Sequence, residues 1–381
     1  MASVRADPLD ILRLRTSEKW TSYPPDVLPL FVAEMDYPLA PEVSRAIIER
    51  VQASDTGYVG RAGALAPAFA DFAERTWQWR VDPEQVTTTT DVSVAIVEVL
   101  RVLIAPGDGV VITPPVYPPF FDLVPEAGGV VVEVPLIDVN AGYSLDLDGI
   151  ERAFAAGARA MLLCNPHNPL GLMHSRETLL ALSALADRYG AVVVSDEIHG
   201  PLAHDPAGFT PYLSVSVSAA EHGVGVTSAS KAFNLAGVKC AIIVTAGERM
   251  RALTATMPEE VAFRTSILGL HASTAAFVHG GEWLAGALDA ITQNGDLLTE
   301  LLAEYLPDVG YRPPTASYLA WLDFRALGWG DDPAERILSD ARVALNSGPT
   351  FGTQGRGFAR LNLACSPEVL TDAITRIAAA R

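Results

Sequence analysis

The chain has 381 residues, 49% of them hydrophobic, and a formal net charge of −18 at neutral pH. That length predicts two or three compact units with sizeable cores and excludes a disordered chain. The acidic balance repels phosphodiester backbones and anionic lipid, and the sequence offers no local basic patch, so neither nucleic acid nor membrane is an expected partner. At the start of the chain, Met1-Ala2-Ser3-Val4-Arg5-Ala6-Asp7 lacks the apolar core of a secretion signal, and no apolar run is long enough to span a bilayer. The cytoplasm is therefore the expected location. From about residue 86 onward, short β-branched runs alternate with longer segments of helical period, the pattern of a largely parallel sheet covered by helices.

In chain order the pattern predicts a helix over 93–104, strands over 109–113 and 129–134, and a helix over 147–156. A strand over 160–164, a helix over 176–189 behind a Ser175 cap, and a strand over 191–195 follow. An apolar run at 240–246 leads into a long helical region, 265–305, interrupted near Gly280-Gly281. Strands near 318–323 and 359–363 and a terminal helix from about Pro367 read as a smaller α+β unit joined by the N-terminal segment. The expected division is a larger unit over residues 46–279 and a smaller one built from 1–45 and 280–381. Three cysteines occur, Cys164, Cys240 and Cys365. They lack the spacing of a zinc site, and the first two sit in or beside strand-like runs as small buried hydrophobes, so no metal is expected.

Lys231 lies in Thr227-Ser228-Ala229-Ser230-Lys231-Ala232-Phe233-Asn234-Leu235, between the apolar runs 224–226 and 240–244. A lone lysine among small hydroxyl residues at the end of a strand is what Schiff-base chemistry with an aldehyde cofactor needs. Asp196 follows the run 192–194, and Asn165 and Asn168 follow 162–164, so these residues fall just past strands, where open sheets bind ligands. Four further segments are unusual: Asn165-Pro166-His167-Asn168-Pro169-Leu170-Gly171, Ser195-Asp196-Glu197-Ile198-His199, Pro115-Val116-Tyr117-Pro118-Pro119-Phe120 and Gly357-Phe358-Ala359-Arg360-Leu361-Asn362. With Lys231 they resemble the fold-type-I enzymes that use pyridoxal 5'-phosphate (PLP). Leu28-Pro29-Leu30-Phe31-Val32-Ala33-Glu34-Met35-Asp36, the Ser195 run and Ser317-Tyr318-Leu319-Ala320-Trp321-Leu322-Asp323 narrow the resemblance. They are similar to the carbon-sulfur β-lyase branch of the class I/II aminotransferase family, which includes cystathionine β-lyases. The resemblance runs from about Arg13 to the C-terminus. It implies an α/β fold with a mainly parallel seven-stranded sheet in a large domain, and a smaller α+β domain.

On this resemblance Lys231 carries the cofactor aldehyde and then acts as general base on the substrate α-proton. Asp196 faces the pyridine nitrogen and keeps it protonated, as an electron sink requires. Asn168 donates to the ring 3'-oxygen, Tyr117 stacks on the ring face, and His199 stands near the same oxygen, where related aminotransferases carry a tyrosine. The phosphate falls to the backbone amides of Val92 and Ser93 at a helix start, completed by Ser228, Ser230 and Lys239. Lys239 matches the spacing of a family arginine. Asp91 stands at what looks like a glycine position; because a carboxylate beside phosphate is unfavourable, either it turns away as a helix N-cap or the register shifts by one. Tyr58, in Thr56-Gly57-Tyr58-Val59-Gly60, resembles the tyrosine that reaches the neighbouring subunit's phosphate, which implies a homodimer with shared active sites. Arg360 takes the α-carboxylate of a small-molecule amino-acid substrate in a bidentate pair. Glu34, in place of the usual aspartate, is assigned to substrate binding, and Phe31 and Leu170 replace a tryptophan and a threonine near the substrate entrance. Glu197 is expected in a structural ion pair, and Arg356 as a structural or surface residue.

A lyase and an aminotransferase share every step up to loss of the α-proton, so these residues alone leave both open. Departure of a thiolate from the β-carbon yields a thiol, pyruvate and ammonia; reprotonation at the cofactor carbon yields an oxo acid. The resemblance favours the first, with cystathionine or another cysteine S-conjugate as substrate. A third reading, a PLP-fold protein kept as a binding or regulatory partner without turnover, is opposed by the intact Lys231 and Asp196. A DNA-binding helical unit would also need more chain than the short N-terminal segment provides.

Overall fold

The computed structural model describes residues 4–139 and 142–381, so the first three residues of the N-terminal stretch read above lie outside the described residues. The chain divides into two units, one of Leu39–His167 and Leu172–Gly281, the other of Met1–Pro38, Asn168–Gly171 and Glu282–Arg381.

In the larger unit, the described residues form the expected seven-stranded sheet from β1 (Val86–Thr89), β2 (Gly109–Ile112), β3 (Val130–Glu133), β4 (Ala160–Cys164), β5 (Val192–Asp196), β6 (Gly223–Thr227) and β7 (Ala241–Thr245). The order is β1-β7-β6-β5-β4-β2-β3. All neighbours are parallel except β7, which runs antiparallel to both β1 and β6. The carboxyl ends of the six other strands therefore open on one edge of the sheet, where ligands of such sheets bind. Every residue of β4 and β5 is buried, which explains why they read as continuous apolar runs without alternation. Alternate residues Val110 and Ile112, Leu162 and Cys164, Val192 and Val194, and Val224 and Val226 share one core with Ile96, Val99 and Leu100 of the helix α1 (Val92–Leu103). Each fully buried aliphatic side chain of that kind contributes about 1.5–3 kcal/mol.

The helix over Arg176–Tyr189 begins where Ser175 Oγ accepts from the Thr178 amide, as its sequence predicts. The long helical region is two helices, Ile267–His279 and Gly281–Tyr305. Gly280 stands at the break, where a Cβ would lie 2.6 Å from both Ala276 O and the Phe233 ring, so the position requires glycine.

In the smaller unit, β8 (Gly310–Tyr311), β9 (Leu319–Asp323), β10 (Asn346–Ser347) and β11 (Phe358–Asn362) form an antiparallel sheet in the order β8-β9-β11-β10. Leu28–Pro29 pairs in parallel with Val343–Ala344, which builds the N-terminal segment into this unit. All three cysteines are buried and unbridged. No helix among the described residues is long and apolar enough to cross a membrane.

Candidate active site

The strand ends of the larger unit hold most of the predicted residues. Asp196 closes β5 and is buried, with one carboxylate oxygen accepting from the Ile198 amide at 3.1 Å. Burial pushes its pKa up to about 7, against the opposing pull of that amide and of the Lys231 charge. Lys231 rides on the short helix α2 (Ala229–Ala232), between the buried Ala229, Ala232 and Phe233. Ser228 caps this turn by accepting from the Ser230 amide at 3.0 Å, and its hydroxyl donates to Cys240 O at 2.6 Å, which fixes the lysine turn to the start of β7.

Asp91 resolves the alternative left by the sequence. It caps α1, with Oδ1 accepting from the Val94 amide at 2.9 Å. Val92 is buried and Ser93 half-buried at the first turn, and Lys239 Nζ lies 3.3 Å from Asp91 Oδ2. Tyr117 is half-buried against the main core, its ring 5.8 Å from that of Phe120. His199 is buried in the turn after β5. Tyr58 is 92% exposed.

Two neighbouring histidines, to which the sequence reading gave no role, brace this edge. His167 Nε2 donates to Pro115 O at 2.8 Å, two residues before Tyr117, and His174 Nε2 donates to Cys164 O at 3.2 Å. Burial lowers their pKa values to about 4 and about 3, so both are neutral at pH 7 with the proton on Nε2. The Asn-Pro-His motif carried the signal for His167, but its acceptor 52 positions away has no sequence signature.

The expected ion pair of Glu197 is absent: among the described residues no basic group pairs with it. Its Oε1 instead accepts from Ser195 Oγ at 2.9 Å and the Tyr212 amide at 2.7 Å, in full burial. Burial pushes Glu197 up to about 8, aided by the Asp196 charge and opposed by those two donors. A folded chain that keeps protons on Glu197 and Asp196, while the unfolded chain releases them near pH 4, loses stability as pH rises through about 7 and 8. Glu197→Gln keeps the Oε1 acceptor and removes the charge. The cofactor-free variant is expected to melt like the parent near pH 4 and several degrees above it at pH 8, by calorimetry. Identical curves at pH 8 would show that an ionised Glu197 is tolerated.

The residues fit an aldehyde cofactor with an aromatic ring nitrogen and an anionic tail. Asp196 is a buried carboxylate whose raised pKa a cationic ring N–H would reverse. Thr89 Oγ1, Thr113 Oγ1 and Asn165 Oδ1 lie buried at the carboxyl ends of β1, β2 and β4 and meet no hydrogen-bond partner among the described residues. Buried polar atoms are ordinarily paired, so such a group of orphans along one ligand-binding edge marks a place for a polar guest.

In the smaller unit, Arg360 sits mid-β11, 3% exposed and directly opposite Trp321 of β9. Its Nη1 donates to Asn168 Oδ1 at 3.0 Å and its Nη2 to Phe31 O at 2.9 Å, and the guanidinium carbon lies 5.1 Å from the Phe351 ring centre. The irregular segment 31–34 is held by its carbonyls: Val32 O and Glu34 O accept from Asn362 Nδ2 at 2.8 and 2.7 Å, and Ala33 O from Tyr318 OH at 3.0 Å. The Glu34 side chain is half-buried and accepts from Ser17 Oγ at 2.6 Å. Beneath it Lys19 Nζ reaches Glu34 O at 3.2 Å and Asp36 Oδ1 at 2.6 Å in a buried ion pair that the sequence did not reveal. Burial raises Asp36 more than Lys19 lowers it.

Residues 25–377 match the family described as "Aminotransferase class I and II". The cystathionine beta-lyase of Corynebacterium glutamicum is 34% identical over 98% of this chain and 99% of its own length. The cystathionine beta-lyase PatB of Bacillus subtilis is 34% identical over 93% of this chain and 92% of its own. Among solved structures, cystalysin from Treponema denticola, which contains a pyridoxal 5'-phosphate cofactor, superposes with a TM-score of 0.89 at 27% identity, covering 97% of this chain and 96% of that one.

Proposed function

Because the chain belongs to the class I and II aminotransferase family, we propose that it is a PLP-dependent carbon-sulfur β-lyase. It cleaves cystathionine or another cysteine S-conjugate with water to a thiol, pyruvate and ammonia. The observation that carries this reading is the 34% identity, nearly end to end, with two cystathionine beta-lyases. The strand-edge chemistry of the larger unit supports it.

When bound, PLP supplies an electron sink for charge developing at the substrate α-carbon. Asp196 holds a proton on the ring nitrogen, and its burial makes that contact strong because little water competes. Lys231 Nζ would hold the cofactor aldehyde, and its free amine would be the base that takes the substrate α-proton. Tyr117 packs on the ring face, His199 and Asn168 serve its 3'-oxygen, and the Val92 and Ser93 amides with Ser228, Ser230 and Lys239 take the phosphate. Ser228 has one proton, and Cys240 O now receives it, so Ser228 can donate to a phosphate only by turning that proton over. Arg360 binds the α-carboxylate and Glu34 borders the substrate side chain. Tyr58, exposed in the single chain, reaches the phosphate site of a second copy in a cytoplasmic homodimer.

Purified protein incubated with PLP, cystathionine and a panel of S-substituted cysteines is expected to release pyruvate and free thiol in equal amounts with no oxo acid added. Turnover that requires an oxo acid would replace this reading with an aminotransferase.

A further inference from the structure

At the carboxyl end of β1 the charges that would receive a phosphate are already committed to each other. Asp91 spends Oδ1 on the Val94 amide, at 2.9 Å, and presents Oδ2 to Lys239 Nζ at 3.3 Å. The cap leaves the Val92 and Ser93 amides, first in the helix, with no carbonyl one turn earlier to bond. Lys239 stands in left-handed backbone, φ 55°, just ahead of β7, and reaches Asp91 from 148 positions away. Of the groups assigned to the phosphate, Lys239 is the one carrying a formal positive charge, and the Asp91 carboxylate offsets it. Both side chains are part-exposed, 54% and 35%, so neither is buried too deeply to meet a ligand.

We propose that Asp91 sets how tightly this protein retains its cofactor: a phosphate dianion arriving at the start of α1 must draw Lys239 away from Asp91 and remain beside the carboxylate. This inference rests on the PLP reading above. The helix start and Lys239 attract the anion; Asp91 repels it and competes for the same ammonium. Affinity is therefore held below what the remaining donors could give, and the second ionisation of the bound phosphate shifts to higher pH, since the monoanion suffers less from a neighbouring carboxylate.

Asp91→Asn separates the charge from the cap, because asparagine caps helices as well as aspartate does. Cofactor-free parent and variant are titrated with PLP and, separately, with pyridoxal, which lacks the phosphate, and binding is followed by protein fluorescence. The variant is expected to bind PLP about tenfold more tightly, with pyridoxal affinity equal in the two proteins. In a Lys239→Met background the gain from Asp91→Asn should shrink, as expected for coupled neighbours. Phosphorus NMR of bound PLP should show the phosphate titrating at lower pH in the variant. Unchanged or weaker PLP binding by Asp91→Asn overturns the inference, as does an equal gain for pyridoxal; an undiminished gain in the Lys239→Met background overturns the competition for the ammonium. A parent protein that takes up no PLP at all would overturn the proposed function itself, a different outcome from any of these.

Discussion

Replacing Lys231 by alanine is expected to lower kcat for β-elimination by about four orders of magnitude, the upper end for removing a positioned general base. Two functions leave together, the covalent hold on the cofactor aldehyde and the amine that takes the α-proton. The fold should survive. Alanine is the best helix former, α2 already carries Ala229 and Ala232, and Lys231 is only half-buried. Removing the ammonium also removes a charge that lowers the pKa of Asp196, so in the cofactor-free variant that carboxyl shifts further upward. Lys231→Arg should fail as well, since a guanidinium stays protonated and cannot act as base. Pyruvate release at saturating substrate measures the loss, and borohydride trapping followed by peptide mapping should label Lys231 in the parent alone. Added methylamine should restore part of the activity of the alanine variant by replacing the missing base. An alanine variant within tenfold of the parent would remove Lys231 from the chemistry.

The legible parts of the fold are those written in local period. β4 and β5 are buried on both faces and read as unbroken apolar runs; α1 lays one face on the sheet and shows it at helical spacing. Candidate site residues such as Asp196 and Ser228 are visible for a related reason, because each lies two positions past the end of such a run, Val194 and Val226. What the sequence could not supply are contacts whose partners lie far along the chain. The segment 31–34 has neither helical nor strand period, since its carbonyls are held by Tyr318, Arg360 and Asn362 rather than by a ladder. Asp91 fitted two readings locally, and only the Val94 amide and the distant Lys239 decide between them. Glu197 misled because a buried carboxylate next to Asp196 suggests a cation; folding brought it a hydroxyl and an amide instead. Tertiary neighbours settle the charge state of a carboxylate, and the identity of the residue does not.

Arg360→Lys is expected to raise KM for amino-acid substrates by about 30- to 150-fold while changing kcat little. A guanidinium offers a carboxylate two parallel charge-assisted bonds in a fixed fork, which an ammonium cannot reproduce. Losing one such bond costs about 2–3 kcal/mol, which is that range in affinity. The α-carboxylate keeps its charge throughout the reaction, so its contact stabilises ground and transition states alike and its loss falls on KM. Alanine would do more than this, because Asn168 Oδ1 and Phe31 O now accept from Arg360 and would lose that donor. A buried acceptor left unpaired costs about 1–3 kcal/mol, so Arg360→Ala should also melt earlier, and the lysine variant separates binding from stability. A carboxylic acid without an amine, used as a competitive inhibitor, cannot react with the cofactor and should lose affinity in Arg360→Lys by the same factor as KM. If the inhibition constant and KM both stay at parental values, the carboxylate is held elsewhere and Arg360 serves only to pin Asn168 and Phe31.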